Sequence, residues 1–327
     1  MKRRDLLALS AAASAGLVTP AWAQAPVLPR IAYVSGRSLA TDGHLFDAFK
    51  EGLKTAGYSA GQNAVIDVRW ADGRYDRVPA LLAELIAARP AVIAAVGGNP
   101  VCIGAKKATS TIPVVFSAGA DPTQIGLVTN LSRPEANLTG ITLWAGELDA
   151  KRLDLLRALL PKARTVGLLM NPTNPGVAQE LVRMTEAART LYMELEIMNA
   201  ETSSGIDRAF EAVPAGRIDA LAVVADAFLI NSRGRILALA AARSLPAIFP
   251  AREFVTEGGL VSYGTRWADM YRIVGSYTGR ILKGALPGDL PVQRPNTYEL
   301  VINLKTAHTL GLTVPPIMLA RADEVIE

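Results

Sequence analysis

Cysteine is nearly missing from these 327 residues: Cys102 stands alone. No intramolecular disulfide can form, so the fold must rest on its core. Cys102 itself reads as a small buried hydrophobe, because neither histidine is near it in sequence. Histidine is almost as scarce. His44 and His308 lie far apart and show no metal-ligand spacing with carboxylates. There is no G-x-S-x-G elbow and no Walker-type loop, and Gly97-Gly98 lacks the full dinucleotide spacing. The carboxylates are scattered, with no pair suited to acid–base work. Charge of one sign is also lacking. The formal net charge is +4, and Lys2, Arg3 and Arg4 against Asp5 account for half of it. What remains is too balanced for a nucleic-acid surface, which gathers basic residues on one face. No stretch reaches the roughly 18 uninterrupted apolar residues that a membrane span needs.

The first residues read as a targeting segment. Lys2, Arg3 and Arg4 form a basic start, Leu6 to Val18 is apolar and small, and Ala21-Trp22-Ala23 offers a cleavage site before Gln24. Arg3-Arg4-Asp5-Leu6-Leu7 looks like a twin-arginine signal, with an ordinary secretory signal as the competitor. Both routes place the mature chain outside the cytoplasm. Residues 1–23 are therefore expected to be removed. No cysteine follows the apolar run, so no lipid anchor is expected.

The rest is ordinary globular composition, half apolar and a fifth charged. About 300 residues suffice for two lobes on the usual scale of roughly 100–200 residues per domain. Strand-like runs alternate with amphipathic helical patterns. Strands are expected at 30–35, 64–70, 91–96, 112–116, 165–170, 191–198, 219–224, 246–250, 260–263 and 298–304. Helices are expected at 42–56, around 78–86, at about 146–160, from Asn174 onward and at 266–283. This β/α alternation implies mostly parallel sheets with helices on both faces. The pattern restarts after Thr142, which suggests two similar α/β halves sharing a cleft.

Three strand ends share a pattern: small or polar residues, then Asn-Pro or Asp-Pro. They are Gly97-Gly98-Asn99-Pro100, Ser117 through Asp121-Pro122, and Asn171-Pro172-Thr173-Asn174-Pro175. Ligands bind at the carboxyl ends of strands in open parallel sheets. A helix N-terminus there offers free N–H groups and partial positive charge to an anion. Each Asn or Asp in isolation reads as a helix cap. Three together aim at one cleft.

IPVVFSAGADP (112–122) and GLVTNLSRPEANLTGIT (126–142) closely resemble the signature of the ABC-transporter periplasmic substrate-binding proteins. That family includes tryptophan- and tyrosine-type uptake receptors. The likeness continues through GLLMNPTNPGVAQ (167–179) and GGLVSYGTRWADMYRIVG (258–275), so it covers essentially the whole mature chain. It implies a two-lobed type I periplasmic-binding-protein-like fold, each lobe a mostly parallel sheet flanked by helices. It places the first lobe at 24–140 plus 250–287, and the second at 141–249 plus 288–327. The implied function is capture of a small polar or zwitterionic solute, such as an aromatic amino acid or related carboxylate. The implied partners are ABC permease and ATPase subunits, for a monomer in the periplasm without cofactor, metal or nucleic acid. A ligand sensor docking on a membrane receptor would use the same fold. An exported hydrolase lacks a nucleophile with a base.

The ligand-binding residues expected are Ser35, Gly98, Asn99, Ser117, Asp121, Asn171, Asn174, Asp226 and Tyr263. Ser35 and Gly36 resemble the family's first binding loop. The family's His-Pro a few residues later is replaced here by Gly43-His44, and His44 reads as a surface or helix-start residue. The resemblance puts a ligand-facing acid at Asp226, where a cap before the next helix is the equal alternative. Phe249 and Tyr263 stand as wall residues or, for Phe249 above all, as core. Asn137 reads as a hinge residue. Trp144 is either a reporter of closure or a buried hinge side chain.

Overall fold

The structure, a computed structural model, describes residues 28–134, 136–144 and 147–327. The expected signal segment lies outside the described residues. The chain begins with β1 (Arg30–Ser35), α1 (Leu39–Thr55), β2 (Val65–Trp70), α2 (Val78–Ala87), β3 (Val92–Val96), α3 (Asn99–Ala108), β4 (Val114–Ala118) and β5 (Leu138–Thr142). These strands form one parallel sheet in the order β2-β1-β3-β4-β5. Helices cover both faces of its middle strands, so β3 and β4 are buried at every residue. That is why they read as continuous apolar runs instead of alternating. Edge strand β2 is only half-buried along its length.

The second part runs α4 (Glu147–Leu159), β6 (Thr165–Met170), α5 (Val177–Thr190), β7 (Glu194–Asn199), α6 (Ser203–Ala212), β8 (Ala220–Val223), α7 (Ala227–Asn231), α8 (Arg233–Ala242), β9 (Ala247–Phe249), α9 (Arg252–Thr256) and β10 (Val261–Thr265). Then come α10 (Trp267–Leu282), β11 (Tyr298–Asn303), α11 (Leu304–Thr309), α12 (Pro316–Leu319) and β12 (Glu324–Ile326). The second sheet has the order β12-β11-β10-β9-β8-β6-β7. Its strands are parallel except where β10 meets β11. The architecture is thus the expected one, two mostly parallel sheets flanked by helices.

The return to the first lobe comes later than expected. β10 is hydrogen-bonded between β9 and β11, so residues 250–265 stay with the second sheet. Only α10 goes back, packing on α1 and over β3, β4 and β5. The chain then follows β5: Gln293 N donates to Gly140 O and Thr142 N donates to Gln293 O, at 3.1 and 2.9 Å. The final crossing therefore follows Gln293 and not residue 287. The chain changes lobes three times, after Thr142, Thr265 and Gln293.

Local chemistry explains the shifted boundaries. α1 starts at Leu39, before the expected Asp42, because Ser38 Oγ accepts from Thr41 N at 3.2 Å while Ser38 N donates back to Thr41 Oγ1 at 3.4 Å. Such a reciprocal cap satisfies two orphan donors. β4 starts at Val114, whose N–H bonds Asn137 O at 2.8 Å, because Pro113 has no N–H for the ladder. Asn137 Nδ2 donates to Ile112 O and Thr109 O, at 2.6 and 3.3 Å. That makes Asn137 a brace for the β4 entry instead of a hinge. Phe249 is core: its ring stacks on Phe254 at 4.5 Å between centroids.

Candidate functional site

The carboxyl ends of both sheets face each other, as open parallel sheets lead one to expect of a ligand cleft. Between them lies a cavity of about 70 Å³. The first lobe contributes Arg37, Gly97, Gly98, Asn99, Ser117, Gly119 and Ala120. The second contributes Asp149, Arg152, Asn174, Gly176, Glu180, Arg183 and Asp226. Leu143 with Trp144, and Thr265 with Trp267, line it at the first two crossings.

Polar contacts hold the lobes together around this cavity. Tyr75, just before α2, donates through its hydroxyl to Asp226 Oδ2 at 2.8 Å. Thr41 Oγ1 donates to Asn231 Oδ1 at 2.8 Å. Asn99 Nδ2 donates to Asn174 Oδ1 at 3.1 Å and to Pro175 O at 2.8 Å. Outside the cavity, His44 Nε2 meets Glu253 Oε1 at 2.9 Å. The lobes are closed. Gly176, at φ 94°, permits this approach: a Cβ there would stand 2.7 Å from Ala120 Cβ of the other lobe.

Of the residues expected at the site, Gly98, Asn99, Ser117, Asn174 and Asp226 line the cavity. Asn99 is fully engaged, its Oδ1 accepting from Gly119 N at 2.8 Å and Ala120 N at 3.1 Å while its Nδ2 crosses the cleft. It therefore links loops and lobes. Asp226 is both a cap and a cleft residue. Its Oδ1 accepts from Leu229 N at 3.1 Å, and Asn171 Nδ2 lies 3.4 Å from both carboxylate oxygens. Burial raises its pKa above the usual carboxylate value, opposed by the hydrogen bonds from Tyr75 and Leu229.

Ser35, Asp121, Asn171 and Tyr263 do not line the cavity. Ser35 Oγ accepts from Arg37 N at 3.2 Å beneath the cavity floor. A Cβ on Gly97 would come within 2.5 Å of that oxygen, so the floor needs glycine, which also has φ 74° there. Asp121-Pro122 starts no helix. Asp121 Oδ1 accepts instead from Thr123 N and Oγ1, at 2.9 and 2.6 Å. Asn171 makes the same turn with Thr173, at 3.1 and 2.8 Å. Asx side chains compete in this way with helix initiation. α5 starts only at Val177, after Gly176 in the left-handed region. Tyr263 packs with the second lobe's core, and its carbonyl accepts from Arg152 Nε at 2.9 Å.

The charged wall is what the sequence left unremarked. On α4, Arg152 Nη1 pairs with Asp149 Oδ1 at 3.1 Å, and from α5 Arg183 Nε reaches Asp149 Oδ2 at 3.3 Å. Glu180 stands beside them, its pKa raised to about 8 by burial first and then by the Asp149 carboxylate. The signal was present: Asp149-x-x-Arg152 and Glu180-x-x-Arg183 each place an acid and an arginine three apart, on one helix face. Arg37 was also missed. Its guanidinium lies 3.9 Å over the Trp267 ring and pairs with buried Asp42 at 3.1 Å. Arg183 and Arg294 approach the Trp144 ring at 5.7 and 5.6 Å.

Several buried polar atoms on the cavity lining find no hydrogen-bond partner among the described residues: Ser117 Oγ, Thr265 Oγ1, Trp144 Nε1 and Arg37 Nε. Unmet polar groups at such a site are costly unless something supplies the bonds. Cys102 is no nucleophile: it is fully buried, its Sγ lies 3.3 Å from Ser117 O, and burial pushes its thiol up to about 12. No helix among the described residues is long and apolar enough to cross a membrane.

Two lobes joined by three crossings, closed over a polar cavity at their strand ends, define a two-lobed solute-binding protein of the type I periplasmic-binding kind. The chain belongs to the ABC transporter substrate binding protein family, whose model matches residues 31–326. A tyrosine-binding protein of Clostridioides difficile is 26% identical over 264 residues, covering 81% of this chain and 75% of the relative. A conserved domain protein from Vibrio cholerae superposes with a TM-score of 0.86 at 25% identity, over 91% of this chain and 100% of that one. An ABC domain in complex with L-Trp from Streptococcus pneumonia gives 0.85 at 25% identity, over 92% and 100%.

Proposed function

We propose that this protein is the periplasmic solute-binding component of an ABC uptake transporter. It captures a zwitterionic amino acid or related small carboxylate between its lobes and acts as a monomer, presenting the closed form to permease and ATPase subunits. The observation that carries this reading is the cavity itself. It combines unpartnered buried donors on Ser117, Thr265 and Arg37 with a wall of paired charges, and hydrogen bonds across the cleft seal it. Solute binding stabilises closure because both walls contact it only when the lobes meet. The tyrosine-binding relative and the L-Trp-bound structure make aromatic amino acids the first candidates.

The test is a thermal-shift and fluorescence titration of the mature chain against amino acids and amine-free acids. Trp144 and Trp267 line the cavity and report occupancy by non-fluorescent solutes. A solute at about a hundred times its dissociation constant should stabilise by about 2.7 kcal/mol. No shift with any amino acid or amine-free acid would remove the proposed solute class. Recovery of permease subunits from membranes on the solute-loaded protein would support transport, and recovery of a receptor ectodomain would replace it with signalling.

A further inference from the structure

We propose that the solute's cationic group docks on the Asp149–Glu180 carboxyl pair of the second lobe, with its anionic group held by Ser117 and Arg37 of the first. This rests on the reading that the cleft binds a zwitterion and names the subsites within it. Asp226, the acid that the family resemblance points to, is already satisfied. It accepts from Tyr75 Oη and Leu229 N, with Asn171 Nδ2 behind it, and its position fastens the lobes. A second carboxylate on the lining is Asp149, buried and bound by two arginines. Glu180, the third, carries no ion pair of its own among the described residues.

The charged groups that face Glu180 are Asp149 and Arg152 of α4 and Arg183 of its own helix. Arg37, itself paired with Asp42, and Asp226 line the same cavity. With Glu180 ionised, Asp149, Arg152, Glu180 and Arg183 sum to zero; with Glu180 protonated they carry one surplus positive charge. Burial beside Asp149 favours the protonated form near neutral pH. An ammonium group that takes the place of the Glu180 proton keeps that sum at one positive charge, and the proton leaves Glu180 for solvent. Across the cavity, Ser117 (2% exposed), Thr265 (5%) and Arg37 (4%) offer buried donor atoms without a partner among the described residues. A carboxylate is the group that accepts from them. Charge-assisted bonds of that kind are the strong ones.

Binding is then linked to proton release. The affinity for a solute with a permanent ammonium rises as pH increases through the Glu180 transition, with about one proton released per solute at its lower end. The experiment is calorimetric titration of the mature protein with L-tyrosine and L-tryptophan, against 3-(4-hydroxyphenyl)propionate and indole-3-propionate, from about pH 6 to about pH 9 in buffers of different ionisation heat. The wild type is expected to prefer the amino acids by about tenfold or more. Glu180→Gln should remove both that preference and the released proton. Glu180→Asp should restore part of each. Persistence of proton release and preference in Glu180→Gln overturns the subsite. So does equal wild-type affinity for the two acid classes, with the solute-binding reading intact. Binding of neither class overturns both the subsite and the proposed solute class. The wild-type proton count decides the matter even if a variant fails to fold.

Discussion

The two walls of the cleft are built from different materials. The first lobe meets the cavity mainly with main chain and neutral groups: Gly97, Gly98, Gly119, the Asn99 amide and the Ser117 hydroxyl. Among the described residues its charged contribution is Arg37, whose guanidinium lies over the Trp267 ring. The second lobe meets the cavity with Asp149, Arg152, Glu180, Arg183 and Asp226. The difference follows from what projects into the cleft. In the first lobe it is the loops at the ends of β3 and β4, where glycines bring the backbone close. In the second, α4 and α5 present side chains three residues apart. The first wall therefore offers a fixed hydrogen-bonding surface, and the second offers charges whose balance a solute can change.

The largest expected effect comes from breaking the charged wall. Arg152→Met leaves Asp149 buried beside Glu180, with Arg183 as its remaining cationic partner among the described residues. Removing one partner of a buried pair should cost about 3 kcal/mol, read as a lower midpoint in urea unfolding. The counterpart on the neutral wall, Ser117→Ala, removes a hydroxyl that bonds nothing among the described residues. It should leave that midpoint unchanged while weakening solute binding. Equal destabilisation by both would erase the contrast between the walls.

Next is Gly176→Ala. It acts on the closed form, through the 2.7 Å approach to Ala120, and through a φ of 94° that alanine dislikes. A loss of about 1–3 kcal/mol in apparent affinity is expected, with small-angle scattering showing a larger open fraction at saturating solute. Tyr75→Phe removes the hydroxyl that donates to Asp226 across the cleft. It should weaken binding by about 1–2 kcal/mol, mostly as faster release in stopped-flow traces.

The smallest effect belongs to His44 and Glu253, a partly exposed pair joining α1 to α9. The hydrogen bond to Glu253 raises the His44 pKa above its ordinary 6.5. For Glu253, burial pushes up but the His44 bond and neighbouring charge prevail, so its value lies below the ordinary 4.5. His44 thus contributes fully below 6.5 and loses its contribution as pH rises through the raised value. Glu253 contributes fully above 4.5 and loses its contribution as pH falls through the lowered one. Between those limits both contribute. His44→Gln should weaken closure by a few tenths of a kcal/mol near pH 5.5, and by less as pH rises through the raised His44 value, measured as solute affinity.

The sequence by itself determined the alternation of strands and helices, because buried parallel strands must be apolar throughout and surface helices must be amphipathic. It also determined that strand ends such as Gly97-Gly98-Asn99 and Ser117 would meet at a cleft, since the order of elements sets which sheet end carries the loops. It could not say which polar residue at a strand end looks into the cavity. Asp121 and Asn171 carry the same Asx-Pro-Thr pattern and spend their oxygens on their own turns. Asp226 was legible as an acid beyond a buried strand. Only the tertiary structure brought Tyr75, 151 positions away, to occupy it, and set Glu180 beside Asp149 on a neighbouring helix. The place of β10 in the second sheet was decided in the same way, by pairing with β9 and β11. Local periodicity reports what a segment buries. Which charges remain for a solute depends on partners brought together from distant parts of the chain.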